Sequence, residues 1–448
     1  MTARAYAWEE SMSYPAWLVG AASVLALTVS AQAETITIAT VNNGDMIRMQ
    51  KLTDDFTKDH PDIDLEWVTL EENTLRQRVT QDIATKGGQF DIMTIGNYEV
   101  PLWAKQNWLM PLENMPDGYD VDDILPAIRG GLSVDGTLYA APFYGESAML
   151  MYRTDLAEKA GIAIPDQPTW ADIKKAAEAM TDKDNEIYGI CLRGKAGWGE
   201  NMAFITAMSN SYGARWFDMD WQPQFDSPEW KATITDYLDM MEKYGPPGAS
   251  SNGFNENLAL FQQGKCGMWI DATVAASFVT DKDESKVADK VGFAQFPNKQ
   301  GVDNHGNWLW SWNLAIPAST DAPDAAKAFV AWATSKQYTD LVAENEGWAA
   351  APPGTRTSLY ENPKYQEAAP FAKMTLESIN AVNTKKPSVQ EIPYTGAQFV
   401  AIPEFQGMGT TVGQMFSAAL AGQMSADQAL QNAQAVTKRE MTKAGYIK

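Results

Sequence analysis

An alternation of strand and helix patterns near the N-terminus constrains the fold of this chain more than any other feature. Residues 35–41, Thr-Ile-Thr-Ile-Ala-Thr-Val, have the pattern of a strand, and Met46, Met49 and Phe56 follow at helical spacing. The next segments predict, in order, a strand over residues 63–69, a helix through Leu75, Val79 and Ile83, and a strand over residues 90–96. A βαβαβ succession of this kind predicts an α/β domain with a parallel sheet.

An apolar segment ahead of these elements, residues 17–30, indicates export. It is followed at once by Ala31-Gln32-Ala33, the small-residue pattern of a signal-peptide cleavage site. The segment is shorter than the ~20 apolar residues that a membrane-spanning helix needs. We therefore interpret residues 1–33 as a cleaved signal peptide rather than a buried N-terminal helix. No Cys lies near Ala33 to carry a lipid, so we expect a periplasmic protein without a lipid anchor.

Chain length predicts the number of domains, and net charge excludes some classes of partner. The 448-residue chain exceeds the ~250–300 residues at which a single hydrophobic core stops growing, so we expect two domains. Its net charge of -22 repels phosphate backbones and anionic lipid headgroups. Nucleic-acid and membrane-surface partners are therefore disfavoured.

Few residues are suited to metal binding or to common hydrolytic chemistry. No HExxH, GxSxG or P-loop pattern occurs, and the chain has only two His. Its two cysteines, Cys191 and Cys266, exclude a scaffold held by many disulfides. They either form one bridge or lie apart as buried thiols, and their spacing does not decide between these alternatives. We expect neither a metal nor a cofactor.

A series of short motifs along the chain carries a family resemblance. In order, they are Phe56-x-x-x-His60-Pro61-x-Ile63, Phe90-Asp91-Ile92, Leu109-x-Pro111-Leu112, Tyr139-x-x-Pro142-x-Tyr144, Leu260-Phe261-x-x-Gly264-Lys265-x-x-Met268 and Ala315-Ile316-Pro317. This order and spacing resemble the family-1 extracellular solute-binding proteins, relatives of maltose-binding protein. Three further segments look most like the sorbitol/mannitol-binding branch of that family: residues 97–101, 197–201 and 308–312.

The resemblance implies a two-lobed α/β fold, the type II periplasmic binding protein, with discontinuous lobes, a hinge, and a ligand cleft between them. By analogy, lobe one comprises residues 34–143 and 313–355, and lobe two comprises residues 144–312 and 356–448. The implied function is the periplasmic substrate-binding subunit of an ABC importer. Such a monomer, which is not an enzyme, would close around a sugar alcohol or related monosaccharide and deliver it to a membrane permease.

A linear polyol sets the chemistry of the expected site. Its hydroxyls donate and accept hydrogen bonds, while its C–H faces favour flat aromatic surfaces. Aromatic residues beside carboxylates, amides or Arg, placed at strand ends or in loops, are therefore the candidates for ligand binding. They are Asn43, Asn97, Tyr144, Glu146, Trp198, Glu200, Asn201, Asp271, Trp310, Trp348 and Arg356.

Each candidate also has a purely structural interpretation. The asparagines suit turns for local reasons, and Asp271 is equally suited to capping a helix. Trp308, Trp310 and Trp312 alternate like the buried face of a strand, which more often packs a core than binds a ligand. Of these three we expect Trp310 to reach ligand, because Trp312 runs into apolar residues.

Two other functions compete with this interpretation. A secreted carbohydrate hydrolase would use a pair of cleft carboxylates about 5–9.5 Å apart, a distance that sequence does not measure. A surface-interaction protein would bind no small ligand and would leave the groupings of Trp, acid and amide unexplained. Thermal stabilisation by polyols without chemical turnover would separate the binding protein from both.

Overall fold

The structure is a computed structural model that describes residues 33–302, 304 and 306–448. The predicted signal peptide therefore lies outside the described residues, except for Ala33. Within the described part of the chain, no helix is long and apolar enough to cross a membrane.

The strands are numbered in chain order. They are β1 (Glu34–Val41), β2 (Ile63–Leu70), β3 (Ile92–Gly96), β4 (Ser133–Val134), β5 (Thr137–Leu138), β6 (Ala141–Glu146), β7 (Ala148–Arg153), β8 (Met268–Ala272), β9 (Val291–Gln295) and β10 (Trp310–Ala315).

The α-helices are numbered in the same way. They are α1 (Gly44–Asp59), α2 (Glu72–Thr85), α3 (Glu99–Lys105), α4 (Pro126–Gly131), α5 (Thr154–Ala160), α6 (Trp170–Met180), α7 (Asn201–Ser211), α8 (Pro228–Tyr244), α9 (Phe254–Gln262), α10 (Ala275–Val279), α11 (Pro323–Ala333), α12 (Lys336–Glu346), α13 (Thr357–Glu361), α14 (Pro363–Ala368), α15 (Ala372–Ala381), α16 (Phe405–Leu420) and α17 (Ala426–Lys443).

The first lobe is built on a five-stranded sheet with the order β2-β1-β3-β10-β6. Strand β1 pairs in parallel with β2 and β3, while β10 runs antiparallel to β3 and β6. Every residue of β3 is buried, as expected for the central strand of a sheet covered on both faces. The predicted βαβαβ succession is the run from β1 to β3 through α1 and α2, and the predicted α/β class is confirmed.

The second lobe surrounds an antiparallel sheet with the order β8-β7-β9. Helix α15 packs on β7 and β9, and α7, α8, α16 and α17 pack on one another beside them. All residues of α7 are buried, which accounts for its weak amphipathic pattern in the sequence. Ser425 caps α17 by accepting a hydrogen bond from the backbone N–H of Gln428 at 3.2 Å.

The chain crosses between the lobes at neighbouring points. Ser147 is the single residue between β6 in the first sheet and β7 in the second, and its hydroxyl donates to the carbonyl of Trp308 at 2.8 Å on the returning segment. A third crossing follows Pro353, whose carbonyl accepts from the backbone N–H of Gly145 at 2.9 Å. The boundaries expected at 143/144 and 312/313 would divide β6 and β10, each of which lies whole in the first sheet.

Cys191 and Cys266 form a disulfide in the second lobe, with their Cα atoms 5.9 Å apart. The backbone N–H of Cys191 also donates to the carbonyl of Met268 at 2.8 Å, so the segment before α7 runs alongside the start of β8. The bridge and this hydrogen bond together fix Arg193 beside the strand that carries Asp271.

Candidate ligand-binding site

A cavity lies between the two lobes, close to the crossing segments. Both lobes contribute to its walls, as expected for a site that forms when the lobes close. The lining residues are Asn43, Glu72, Arg76, Tyr144, Glu146, Arg193, Trp198, Gly199, Ala203, Phe254, Val274, Trp308, Trp310, Trp312 and Gln398.

Indole rings form much of the cavity wall. Trp310 and Trp312, on β10, meet edge to face with ring centroids 5.4 Å apart, and Trp198 from the second lobe lies 5.7 Å from Trp310. Trp310 fits over β3 because residue 96 is Gly: a Cβ there would lie 1.9 Å from the indole. Among the described residues, no acceptor meets the buried indole N–H of Trp198, whereas that of Trp308 faces the carboxyl group of Glu146. The wall therefore offers flat apolar faces together with one free donor.

Arg76, on α2, places a guanidinium among these rings. Its Nε and Nη2 donate to Glu72 Oε1 at 3.1 and 2.9 Å, and its Nη1 donates to Glu99 Oε1 at 2.9 Å. Burial raises the pKa of Glu99, although the charge of Arg76 opposes the rise. Glu72 and Glu99 thus hold the Arg76 guanidinium in one orientation. Its positive charge is already paired and needs no negative charge from a ligand.

Arg193 is the corresponding cation of the second lobe. Its Nε lies 2.9 Å from Asp271 Oδ2 and its Nη2 lies 2.6 Å from Asp271 Oδ1, while Trp269 Nε1 donates to Oδ2 at 3.0 Å. Burial alone would lower the pKa of the guanidinium, but the charge and hydrogen bonds of Asp271 raise it above its ordinary value. Arg193 Nη1 also donates to the carbonyl of Gly199 at 2.9 Å, which fixes the loop that carries Trp198.

Glu146 and Tyr144 bring β6 to the cavity. Burial raises the pKa of Glu146 to about 8, and the charges of Asp271 and Glu72 add to this while Arg193 opposes it. The Tyr144 hydroxyl accepts from Asn43 Nδ2 at 2.8 Å. At neutral pH, Glu146 is therefore mostly protonated and both donates and accepts, as does the Tyr144 hydroxyl.

The structure brings five of the residues predicted from sequence together on the cavity wall. They are Asn43, Tyr144, Glu146, Trp198 and Trp310. Asn43 follows β1, Trp198 lies in the loop before α7, and the other three lie on β6 and β10 next to the lobe crossings.

Three other candidates lie behind the wall and support it. Asp271 binds Arg193, and Glu200 Oε2 lies 3.6 Å from the same guanidinium. Asn201 donates to the carbonyl of Gly413 at 2.8 Å and accepts from the backbone N–H of Gly197 at 3.3 Å, so its amide is used within the second lobe.

The remaining three candidates lie away from the cavity. Asn97 donates to the carbonyl of Leu309 at 3.2 Å. Arg356 is held by the carbonyls of Thr334 and Asp120, and Trp348 stacks its ring 5.9 Å from the ammonium of Lys364. Asn97 and Arg356 direct their polar groups to backbone carbonyls that lie far away in sequence, which local pattern does not reveal.

Sequence reasoning missed a larger part of the cavity wall. The residues that it did not select are Glu72, Arg76, Arg193, Trp308, Trp312, Phe254, Val274 and Gln398, with the small residues Gly199 and Ala203. One signal was present: Glu72 and Arg76 are spaced i, i+4 in the first turns of a helix that follows a strand.

Known proteins resemble this chain over most of its length. The model of the family described as bacterial extracellular solute-binding protein matches residues 43–340. A mannitol-binding protein of Pseudomonas aeruginosa is 58% identical over 429 residues, which cover 96% of this chain and 98% of that protein.

Solved structures agree with this relationship. The structure of an ABC transporter solute-binding protein from Agrobacterium vitis, with bound D-mannitol, has a TM-score of 0.92 and 69% identity and covers 93% of this chain and 100% of that chain. A solute-binding protein from Agrobacterium radiobacter, in complex with ribitol, has a TM-score of 0.80 and 25% identity and covers 91% of this chain and 99% of that chain.

Proposed function

Because the chain belongs to the bacterial extracellular solute-binding protein family, we propose that it is the substrate-binding subunit of an ABC importer and that it captures D-mannitol between its lobes. The observation that carries this proposal is the cavity itself. Its charged side chains Arg76 and Arg193 are paired within the protein, and the free indole N–H of Trp198 stands beside flat aromatic faces. A neutral polyhydroxylated chain has the hydroxyls and C–H faces that such a wall accommodates.

The pairing of charges argues for a neutral ligand. Arg76 is held by Glu72 and Glu99, and Arg193 is held by Asp271, so a bound molecule need not neutralise either cation. A carboxylate or phosphate on the ligand would instead lie in a cavity that already contains the acidic side chain of Glu72. Mannitol, a hexitol without ionisable groups, avoids that cost.

Capture rather than hydrolysis follows from the same chemistry. A sugar alcohol has no glycosidic bond, so a pair of cleft carboxylates would have nothing to cleave. Contacts from both lobes to one ligand favour the closed arrangement by differential affinity. The closed protein then presents its ligand to the membrane permease of the importer.

The proposed site is tested by conservative substitutions that remove one donor at a time. Trp198→Phe and Trp308→Phe keep an aromatic face but lose an indole N–H, which is unpartnered in Trp198 and faces Glu146 in Trp308. Each should weaken mannitol binding by calorimetry about 5- to 10-fold, the usual net value of one hydrogen bond. Trp348→Phe, outside the cavity, should bind as the wild type does. Equal affinity in all three variants, or no binding of mannitol, sorbitol or arabitol by the wild type, would contradict the proposal.

We also propose that the mature protein begins after Ala33 and acts as a periplasmic monomer without a lipid anchor. The apolar segment and small-residue site before residue 34 support cleavage, and the family is extracytoplasmic. N-terminal sequencing of the periplasmic fraction should begin at Glu34, and light scattering should give the mass of one chain. Recovery of uncleaved protein would overturn the first part of this proposal, and a dimer mass the second.

A further inference from the structure

A chain of charges crosses from one lobe to the other beside the cavity. Lys195, in the second lobe, lies with its Nζ 2.6 Å from Glu71 Oε1, which belongs to the first lobe. The same ammonium lies 3.5 Å from Glu200 Oε1 in its own lobe. One cation is thus shared by two carboxylates that reach it from opposite sides of the cleft.

The contact surface around Lys195 is closely fitted. Asn73 Nδ2, on α2, donates to the carbonyl of Ala196 at 3.2 Å. A Cβ at Gly197 would lie 2.5 Å from Asn73 Oδ1. The loop of residues 195–199 and the start of α2 therefore meet only because this loop has no side chain at that point.

Closure brings like charges together at this surface. The side chain of Glu200 is buried, and among the described residues no hydrogen-bond donor meets its Oε2. Its pKa is raised to about 7 by burial and by the charge of Glu72, with Glu71 adding to the effect. Both of those glutamates lie on the first lobe, so their repulsion of Glu200 arises when the lobes meet.

We propose that Lys195 is a positioning residue that stabilises the closed state by neutralising the carboxylates which closure brings together, Glu71 of the first lobe and Glu200 of the second. Lys195 does not line the cavity, so its effect on the ligand acts through the lobes. Arg193 lies 3.6 Å from Glu200 and also opposes the rise of its pKa, but Lys195 is the cation that reaches Glu71 across the cleft as well. The inference rests on the proposed function, since mannitol affinity reports the closed state.

Substitutions of Lys195 and of Glu71 should have unequal effects on mannitol affinity. Lys195→Met leaves Glu71 and Glu200 to repel one another and should weaken mannitol binding about 5-fold, since an ion pair that is partly exposed contributes up to about 1 kcal/mol. Glu71→Gln removes both the attraction to Lys195 and the repulsion of Glu200, so it should change mannitol affinity less. The double variant Lys195→Met/Glu71→Gln should recover part of the lost affinity, and Lys195→Arg should restore most of it.

The experiment measures the mannitol Kd of these variants by calorimetry, with the Tm of each unliganded protein. Lys243→Met is the matched control, because Lys243 pairs with Asp239 inside the second lobe at 2.5 Å. The proposal is overturned if Lys195→Met binds within twofold of the wild type, or if adding Glu71→Gln weakens it further. Failure of the wild type to bind mannitol would refute the proposed function instead. The closure role is then decided by small-angle scattering of unliganded protein, in which Lys195→Met must be more open than Lys243→Met.

Discussion

The guanidinium carbon of Arg76, on the first lobe, lies 4.1 Å from the ring centroid of Trp198, on the second. The same guanidinium lies 4.8 Å from Trp310 and 4.7 Å from Trp312, both of the first lobe. Opening the cleft would remove only the contact with Trp198. Because ligand binding closes the lobes, it also brings the Trp198 ring onto the Arg76 guanidinium.

We expect Arg76→Met to weaken mannitol binding about 30-fold, because a desolvated cation–π contact contributes about 2 kcal/mol. Methionine keeps much of the side-chain length but leaves Trp198 without its cation, and it also leaves Glu72 and Glu99 without their ion pair. Calorimetry gives the affinity, and intrinsic tryptophan fluorescence shows whether the lobes still close around ligand. Arg78→Met, which removes an exposed Arg from the same helix, is the control and should bind as the wild type does. Unchanged affinity in Arg76→Met would contradict a role for this contact in closure.

Glu146 gives the unliganded protein a pH dependence of known sign. Its ordinary pKa of 4.5 is raised to about 8 in the folded state, chiefly by burial. Between these values the folded protein keeps a proton that the unfolded chain has lost, so the free energy of unfolding falls as pH rises. The slope is about 1.4 kcal/mol per pH unit at its steepest, and the effect is complete above pH 8.

Glu146→Gln removes this titration and tests it. The difference in unfolding free energy, variant minus wild type, should increase from pH 5 to pH 8 in urea titrations of the unliganded protein. Asp45 and Glu200 also have pKa values raised by burial, to about 6 and about 7, and contribute to the wild-type curve in the same direction. The difference curve isolates Glu146. A flat difference, equal to that of the exposed control Glu361→Gln, would contradict the assignment.

The sequence predicted those parts of the site that depend on local pattern. Trp198 and Glu146 were found because they follow strand-like segments and stand beside polar residues. Local pattern does not show which member of a buried ion pair faces the ligand. Asp271 was selected and Arg193 was not, yet Arg193 lines the cavity and Asp271 lies behind it. The two residues are 78 positions apart, so the sequence around either one gives no sign that they pair.

The fold could be predicted to a similar depth. The βαβαβ run is a local pattern, and β1, β2 and β3 lie close to the predicted strands. The points at which the chain crosses between lobes could not be predicted from local pattern. The aromatic run of β10 has the same pattern whether or not the strand changes lobe. Arg356 and Trp348 show the opposite error, since a loop with suitable chemistry is used for contacts within the protein.

The disulfide between Cys191 and Cys266 should stabilise the second lobe. The bridge closes a separation of 75 residues, and loss of such a bridge costs about 2–5 kcal/mol. Urea unfolding of Cys191→Ser/Cys266→Ser should show this loss. Dithiothreitol should lower the stability of the wild type towards that of the double variant and leave the double variant unchanged. Equal stability of the oxidised wild type and the variant would contradict the expectation.

Gly199 should be required for closure, because a Cβ there would lie 2.1 Å from Glu72 Oε1, an oxygen already held by two hydrogen bonds from Arg76. Gly199→Ala should therefore leave the Tm of the unliganded protein nearly unchanged but weaken mannitol binding about 10-fold or more, since overpacking costs about 1–3 kcal/mol. Gly407→Ala, in α16 with open space around the new methyl group, is the matched control. The two variants should differ in calorimetry and in the compaction that mannitol produces in small-angle scattering. If Gly199→Ala bound mannitol as tightly as Gly407→Ala, the lobes would not need to meet at this point.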